Sequence, residues 1–321
     1  MEKEGNEMYA LVDEDFLSKF SPQHQSYMKQ FYYSRYVSFC NHINRQPLEY
    51  DNFFCNMHRK RFQLYQLCCP YCGTVSLSVF DKKGSHAPGL NYCHSCGRTS
   101  TLKNIQNHLA RFIRISRMNR ISIQVVSKAR PDKDKWLLAY DCYQIEIIEL
   151  ASIIEVLFRD YFESLLFISS SVEKNSYINK IVRKQTRNDF MNIEKANDIY
   201  KKAFDIEIRK NLSSVIWNDL LDIVNLRNMI VHNNGLVDNY FMASSTYVRW
   251  KDRVDAPLIR IEEDDISKLV SSVIDAVTVV SNLYLKEYYE GRNKVIANYY
   301  FNGESNSNDC ISWFSTPKEK T

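Results

Sequence analysis

Two sets of residues in this chain have the types and spacing to do chemistry. The first is Cys69-Pro70-Tyr71-Cys72-Gly73 followed by Cys93-His94-Ser95-Cys96-Gly97. In each, two cysteines can turn their sulfurs toward one point, and the glycine permits the tight turn that follows. Together they supply four thiolates, the closed tetrahedral set of a structural zinc site, with no open position for a reacting water. The second set is Arg227-Asn228-Met229-Ile230-Val231-His232, followed by Asn233-Asn234-Gly235. An arginine can grip a phosphate through paired hydrogen bonds and stabilise charge that develops on it. A histidine can take up or deliver a proton near neutral pH, and the asparagine between them can orient either one.

Other uses of the four cysteines stay open. A redox pair needs only one C-x-x-C and a βαβ setting that is not seen around this one. An iron–sulfur site could use the same four thiolates. Cys68 could replace Cys69, but only Cys69 has the two-residue spacing to Cys72. His94 reads as a neighbour of the site or a surface residue rather than a ligand. Between the pairs, Val75, Leu77 and Val79 alternate with polar residues as a strand does, and Lys83-Gly84-Ser85-His86-Ala87-Pro88-Gly89 supplies a turn. Residues 68–98 resemble a zinc ribbon.

Helices must carry the second set. Ile147, Leu150, Ala151, Ile154, Leu157, Phe158, Tyr161 and Leu165 recur at three- and four-residue steps, the stripe of a long amphipathic helix. After a looser polar stretch, a shorter helix is expected around Ala196, Ile199, Tyr200 and Ala203, and a third from about Ser213 to His232. A fourth opens on Glu262, Glu263, Asp264 and Asp265, acids favoured at a helix N-terminus. Its stripe is Ile266, Leu269, Val270, Val273, Val277, Val280 and Tyr284, and Gly291 is placed to end it. Four such helices make a bundle. The third is apolar nearly all round, with Ile216, Leu220, Ile223 and Ile230 on one side and Trp217, Leu221 and Val224 on another. Burial is therefore expected, and Arg227 and Asn228 would be costly there unless paired or functional. Five helical residues turn about 500°, so Arg227 and His232 lie on different faces, whereas Asn228 and His232 share one.

Arg227, Asn228 and His232 with the helix-ending Asn233-Asn234-Gly235 resemble the R-x4-H motif of HEPN domains. The likeness extends over most of Asp141 to Glu290: a long first helix, a looser insertion, the motif helix and a long last helix. The resemblance implies an endoribonuclease with no catalytic metal. Members of the family dimerise with their motif helices facing, so that arginine and histidine of both chains line one cleft. It implies Arg227, Asn228 and His232 as catalytic residues, with Glu155 and Arg159 as looser matches to extra polar positions on the first helix. The implied role is a toxin or antiviral, abortive-infection effector, which leaves room for an antitoxin or a phage-derived trigger. The alternative is a non-catalytic nucleic-acid-binding protein whose helical domain serves dimerisation, and a third reading is a regulator that prefers duplex DNA.

Charge supports a nucleic-acid partner. Thirteen basic residues from Met57 to Arg130 stand against Asp81 alone, a local balance of +12 in a chain of net charge +4, leaving −8 elsewhere. Such a block is the footprint expected for phosphate contacts. Arg111, Arg114, Arg117 and Arg120 fall on a helix expected from about Leu102 to Arg120, after which Ile121–Val125 alternates like a short strand.

Length and composition frame these sites. The 321 residues suggest two or three units, and with 45% hydrophobic and 25% charged residues there is material for a core. Only 8 glycines and 7 prolines favour helices over a turn-rich β fold. The acidic, polar N-terminus is not a secretory signal, and no apolar run approaches the roughly 20 residues that span a bilayer. A cytoplasmic protein away from membranes is expected. Its 9 cysteines, an odd number in such a chain, read as metal binding rather than disulfides. The fold class expected is mainly α, divided into an N-terminal helical segment (1–66), a small β-containing zinc ribbon plus basic helix (67–130), a HEPN-like helical bundle (136–293) and a tail (294–321).

Overall fold

The computed structural model describes residues 7–56, 62–81, 92–129, 133–169, 182, 184, 186, 189–255, 257–301 and 312–314. In chain order they form strand β1 (Tyr9–Leu11), helices α1 (Glu14–Leu17), α2 (Pro22–His42) and α3 (Tyr50–Asn56), and strands β2 (Phe62–Cys68) and β3 (Val75–Asp81). Helices α4 (Thr101–Ala129), α5 (Lys133–Ser169), α6 (Ile193–Phe204), α7 (Ile208–Asn211), α8 (Ser214–Asn233), α9 (Asn239–Met242) and α10 (Ser245–Trp250) follow. The hairpin β4 (Val254–Asp255) and β5 (Leu258–Ile259), helix α11 (Glu263–Phe301) and strand β6 (Ser312–Phe314) complete the order. The protein is mainly helical, as expected, with two small sheets. The turn assigned to Lys83–Gly89 lies outside the described residues.

Two compact units emerge, both discontinuous in sequence: Met1–Lys103 with Glu163–Ser176 and Leu285–Thr321, and Asn104–Phe162 with Tyr177–Tyr284. Divisions drawn at 66/67, 130/136 and 293/294 do not coincide with them. The first unit is built on a sheet of order β1-β2-β3-β6, antiparallel except for the parallel β3–β6 pair. The strands β1 and β2 lie where helices alone were expected. Gln66 of β2 is buried, and its amide is satisfied: Oε1 accepts from Tyr32 of α2 (2.8 Å) and Tyr300 of α11 (2.6 Å), and Nε2 donates to the Ser76 carbonyl (2.8 Å). Losing both tyrosine hydroxyls would leave the buried Oε1 unpaired, at about 1–3 kcal/mol. Helix α2 starts where Ser21 accepts from the His24 amide and Pro22 occupies the first turn.

Gly291 does not end the last helix, which continues to Phe301. A Cβ at this position would overlap Ile168 Cγ2 and approach the Ile168 carbonyl oxygen to 2.9 Å. The glycine lets two helix backbones approach closely instead of capping one.

In the second unit the α5 stripe packs as its periodicity requires: Ile147, Leu150, Ile154, Leu157, Phe158 and Tyr161 are all buried. Tyr161 stacks on Tyr284 of α11 with ring centroids 4.1 Å apart, and Tyr200 of α6 donates to the Phe158 carbonyl at 2.6 Å. Ile266, Leu269, Val273, Ala276 and Val280 line the buried face of α11. Within α11 one 18-residue window reaches a mean hydropathy of 1.4, so this helix is by length and composition alone apolar enough to cross a membrane. Ser271, Asp275 and Thr278 occupy its exposed face together with Ile274. Residues Ile121–Val125 are helical, not a strand, because α4 runs on to Ala129. Five alternating residues fit either period, and nothing between Arg120 and Lys128 stops a helix.

Candidate functional site

The four-cysteine cluster sits in the first unit. Sequence and backbone explain it: the Cys69 amide donates to the Thr74 carbonyl (2.9 Å) and the Gly73 amide to the Cys69 carbonyl (3.0 Å). The second turn repeats this, Cys93 to Arg98 at 2.9 Å and Gly97 to Cys93 at 2.7 Å. Gly73 and Gly97 take φ of 75° and 71°, which a side chain would resist. The sulfurs of Cys69, Cys72, Cys93 and Cys96 all lie within 4.8 Å of one another, Cys69–Cys96 at 3.8 Å and Cys72–Cys93 at 3.6 Å. A metal–sulfur bond of about 2.3 Å implies tetrahedral sulfur–sulfur edges of about 3.8 Å. The donor set therefore fits one small tetrahedral metal ion.

Hydrogen bonds with the Cys69 and Cys93 side chains hold the Cys72 thiol low, and those with Cys72 and Cys93 push Cys69 high. Cys68 is buried outside the cluster, and His94 contacts Ser76 Oγ at 3.3 Å instead of joining the sulfurs. Met8, Tyr9 and Leu67 pack around Cys69 and Cys93, and the Arg98 guanidinium lies 4.8 Å from the Tyr71 ring centre.

The second candidate set lies at the C-terminal end of α8. Ser213 caps the start of this helix, accepting from the Ile216 amide, and the chain leaves it through Asn234 (φ 51°) and Gly235 (φ 77°). A Cβ on Gly235 would meet Gln144 Nε2 at 2.5 Å and Tyr140 Oη at 2.6 Å, and the φ of 77° strains any side chain, so the turn favours glycine; the Tyr140 hydroxyl donates to the Gly235 carbonyl. The helix is less enclosed than its apolar pattern suggests: Val215 is 59% and Val231 44% exposed, Arg227 and Asn228 are half-buried and His232 is exposed.

The buried charges of α8 are instead two that sequence reading passed over. Asp219 accepts from Ser272 Oγ (2.7 Å) and Lys268 Nζ (2.9 Å), while Asp222 takes a two-oxygen ion pair from Arg249 and a bond from Trp250 Nε1 (2.9 Å). Asp222 thereby anchors α10 to α8.

Arg227 Nη1 donates to Asn228 Oδ1 at 3.0 Å. Asn228 and His232 face one pocket of about 330 Å³, and Arg227 is not among its lining residues. Met229 and Phe241, both buried, contribute its apolar lining. Asn225, Asp238 and Ser244 add polar groups, and Tyr240 adds a ring that is 90% exposed. The segment 238–250 that supplies half of these residues was not read as part of a site. Its signal was a pair of helix starts, for Asp238 caps α9 through the Phe241 amide (2.7 Å) and Ser244 caps α10 through the Tyr247 amide (3.2 Å). Glu155 and Arg159 line no part of the pocket. They pair with each other at 2.8 Å, and Arg159 also reaches Asp160 at 3.3 Å.

All four arginines of α4 are exposed. Arg111 pairs with Glu149 at 2.8 Å and Arg120 with Glu263 at 3.5 Å, whereas Arg114 and Arg117 make no ion pair among the described residues. The block that looks purely basic in sequence is thus partly neutralised by acids from α5 and α11. No family model matches the chain, and neither does any curated protein or solved structure compared with it.

Proposed function

We propose that the chain is a HEPN-type endoribonuclease that acts as a homodimer, with structural zinc and no metal at the chemistry. The observation that carries this reading is the end of α8, where Asn228 and His232 share a pocket and Arg227 is hydrogen-bonded to Asn228. RNA brings its own nucleophile. Its 2′-oxygen bonds to the adjacent phosphorus, its proton passes to a base, the bond to the 5′-oxygen breaks, and that oxygen takes a proton from an acid. His232 performs one of these transfers and the same residue of a second copy performs the other. Arg227, oriented by Asn228, stabilises the charge that builds on the phosphate. An exposed histidine, and an arginine with guanidinium N–H groups still to donate, suit a cleft that a second copy completes.

Zinc is favoured at Cys69, Cys72, Cys93 and Cys96 because a cluster larger than a single ion would need sulfurs set wider apart. The ion would fold the first unit around the two turns and supply no catalysis. Arg114 and Arg117 would contribute phosphate contacts, and growth arrest through RNA cleavage, as in a toxin or antiviral effector, would follow. Incubating the purified chain with total RNA in EDTA tests the reading. Fragmentation by the wild type and none by His232→Ala is expected; equal fragmentation by both, or by neither, contradicts it.

A further inference from the structure

We propose that the pocket beside His232 receives one unstacked base of a single-stranded RNA, with the Tyr240 ring as the surface on which that base stacks. This deepens the reading above and rests on it for the identity of the ligand. The pocket combines the features such a ligand requires. Met229 and Phe241 offer an apolar floor, while the side chains of Asn225 and Asn228 offer amide groups with both donor and acceptor atoms. About 330 Å³ is at the small end of ligand sites, suited to one ring system rather than to a helix or a peptide.

Tyr240 itself is unusual. Its side chain is 90% exposed and makes no hydrogen bond or ring contact among the described residues. The backbone that projects it is nevertheless firmly held. Asp238 caps its short helix, Ser244 Oγ donates to the Phe241 carbonyl at 2.7 Å, and the Asp222–Arg249–Trp250 cluster fixes α10 just beyond. A rigidly presented, unengaged aromatic ring at the rim of a polar pocket is a stacking platform. A duplex keeps its bases stacked within itself, so this platform selects unpaired substrate.

The test uses the full chain in EDTA and a short single-stranded RNA that carries 2-aminopurine and 2′-O-methyl groups throughout, so that no cleavage occurs. Quenching of the 2-aminopurine on binding is expected. Tyr240→Ala should weaken binding about tenfold and abolish the quenching, Tyr240→Phe should preserve both, and a duplex of the same sequence should bind both variants equally. Unchanged affinity and quenching in Tyr240→Ala overturns the proposal. So does a dimer that dissociates in this variant by sedimentation, since the ring would then face a second copy. The outcomes separate from those of the parent reading. His232-dependent cleavage that ignores Tyr240 leaves the nuclease and removes the pocket, and Tyr240-dependent quenching without cleavage does the reverse.

Discussion

At the four-cysteine cluster each pair of cysteines arrives with its own turn, whereas at the end of α8 the polar groups depend on segments that follow them in the chain. The sulfurs converge because Gly73 and Gly97 close two matching hydrogen-bonded loops. Around His232, by contrast, Asp238, Tyr240 and Ser244 come from α9 and the turns flanking it, and the α10 that follows is held by a buried carboxylate on α8 itself. A site made by local backbone geometry is complete within a few residues. A site made by packing is only as well formed as the contacts that hold its neighbours.

The sharpest way to break this contrast is to disable each site's support. Cys93→Ser removes one of four ligands, and loss of the ion should unfold the first unit, because metal affinity at such sites is folding energy. Elemental analysis should give about one zinc per wild-type chain, and the variant should be insoluble or melt without a cooperative transition. Iron, or no metal, in the wild type would contradict the assignment. Asp222→Ala attacks the other site indirectly. It leaves the buried Trp250 Nε1 and the partly exposed Arg249 without their acceptor, and should lower stability by about 1–3 kcal/mol, read from urea unfolding. An effect below about 1 kcal/mol would show that α10 is not anchored through this residue. The smallest expected effect concerns the arginines of α4. Arg114→Glu with Arg117→Glu should flatten the salt dependence of RNA binding by about 2 in slope, while Arg111→Glu, already paired with Glu149, should change it less. Equal slopes for all would mean that this surface does not meet phosphate.

These contrasts also explain what could be read from the residues alone. The convergence of the four cysteines was legible because C-x-x-C-G encodes both the sulfurs and the turn. The stripes of α5 and α11 were legible because a long three-and-four repeat admits one period, and every named α5 position from Ile147 to Leu165 is buried. Short or long-range features were not legible. Residues 121–125 alternate over too few positions to separate strand from helix, and Gly291 looks like a terminator until Ile168 is seen against it. The strands β1 and β2 owe their state to pairing with each other and with β3, which local propensity does not report. The +12 of the basic block ignored Glu149 and Glu263, distant in sequence yet adjacent to Arg111 and Arg120. At the candidate catalytic site the shared face of Asn228 and His232 followed from helical geometry, whereas the pocket opposite them followed from a segment with no repeat to announce it.

The most direct test of the central proposal reads the ends of the RNA. Wild-type chain, Arg227→Ala and His232→Ala, each confirmed as a dimer by sedimentation, would be incubated in EDTA with a defined RNA and with a copy methylated at the 2′-oxygens. The wild type is expected to leave cyclic phosphate ends, or their hydrolysed form, on the unmodified RNA and to spare the methylated one. Each variant should lose at least about 100-fold in rate, the scale of a general acid–base group or an anion-stabilising donor. Cleavage that requires magnesium, leaves free 3′-hydroxyl ends and survives both substitutions would contradict the proposal and return Arg227 and His232 to structural roles.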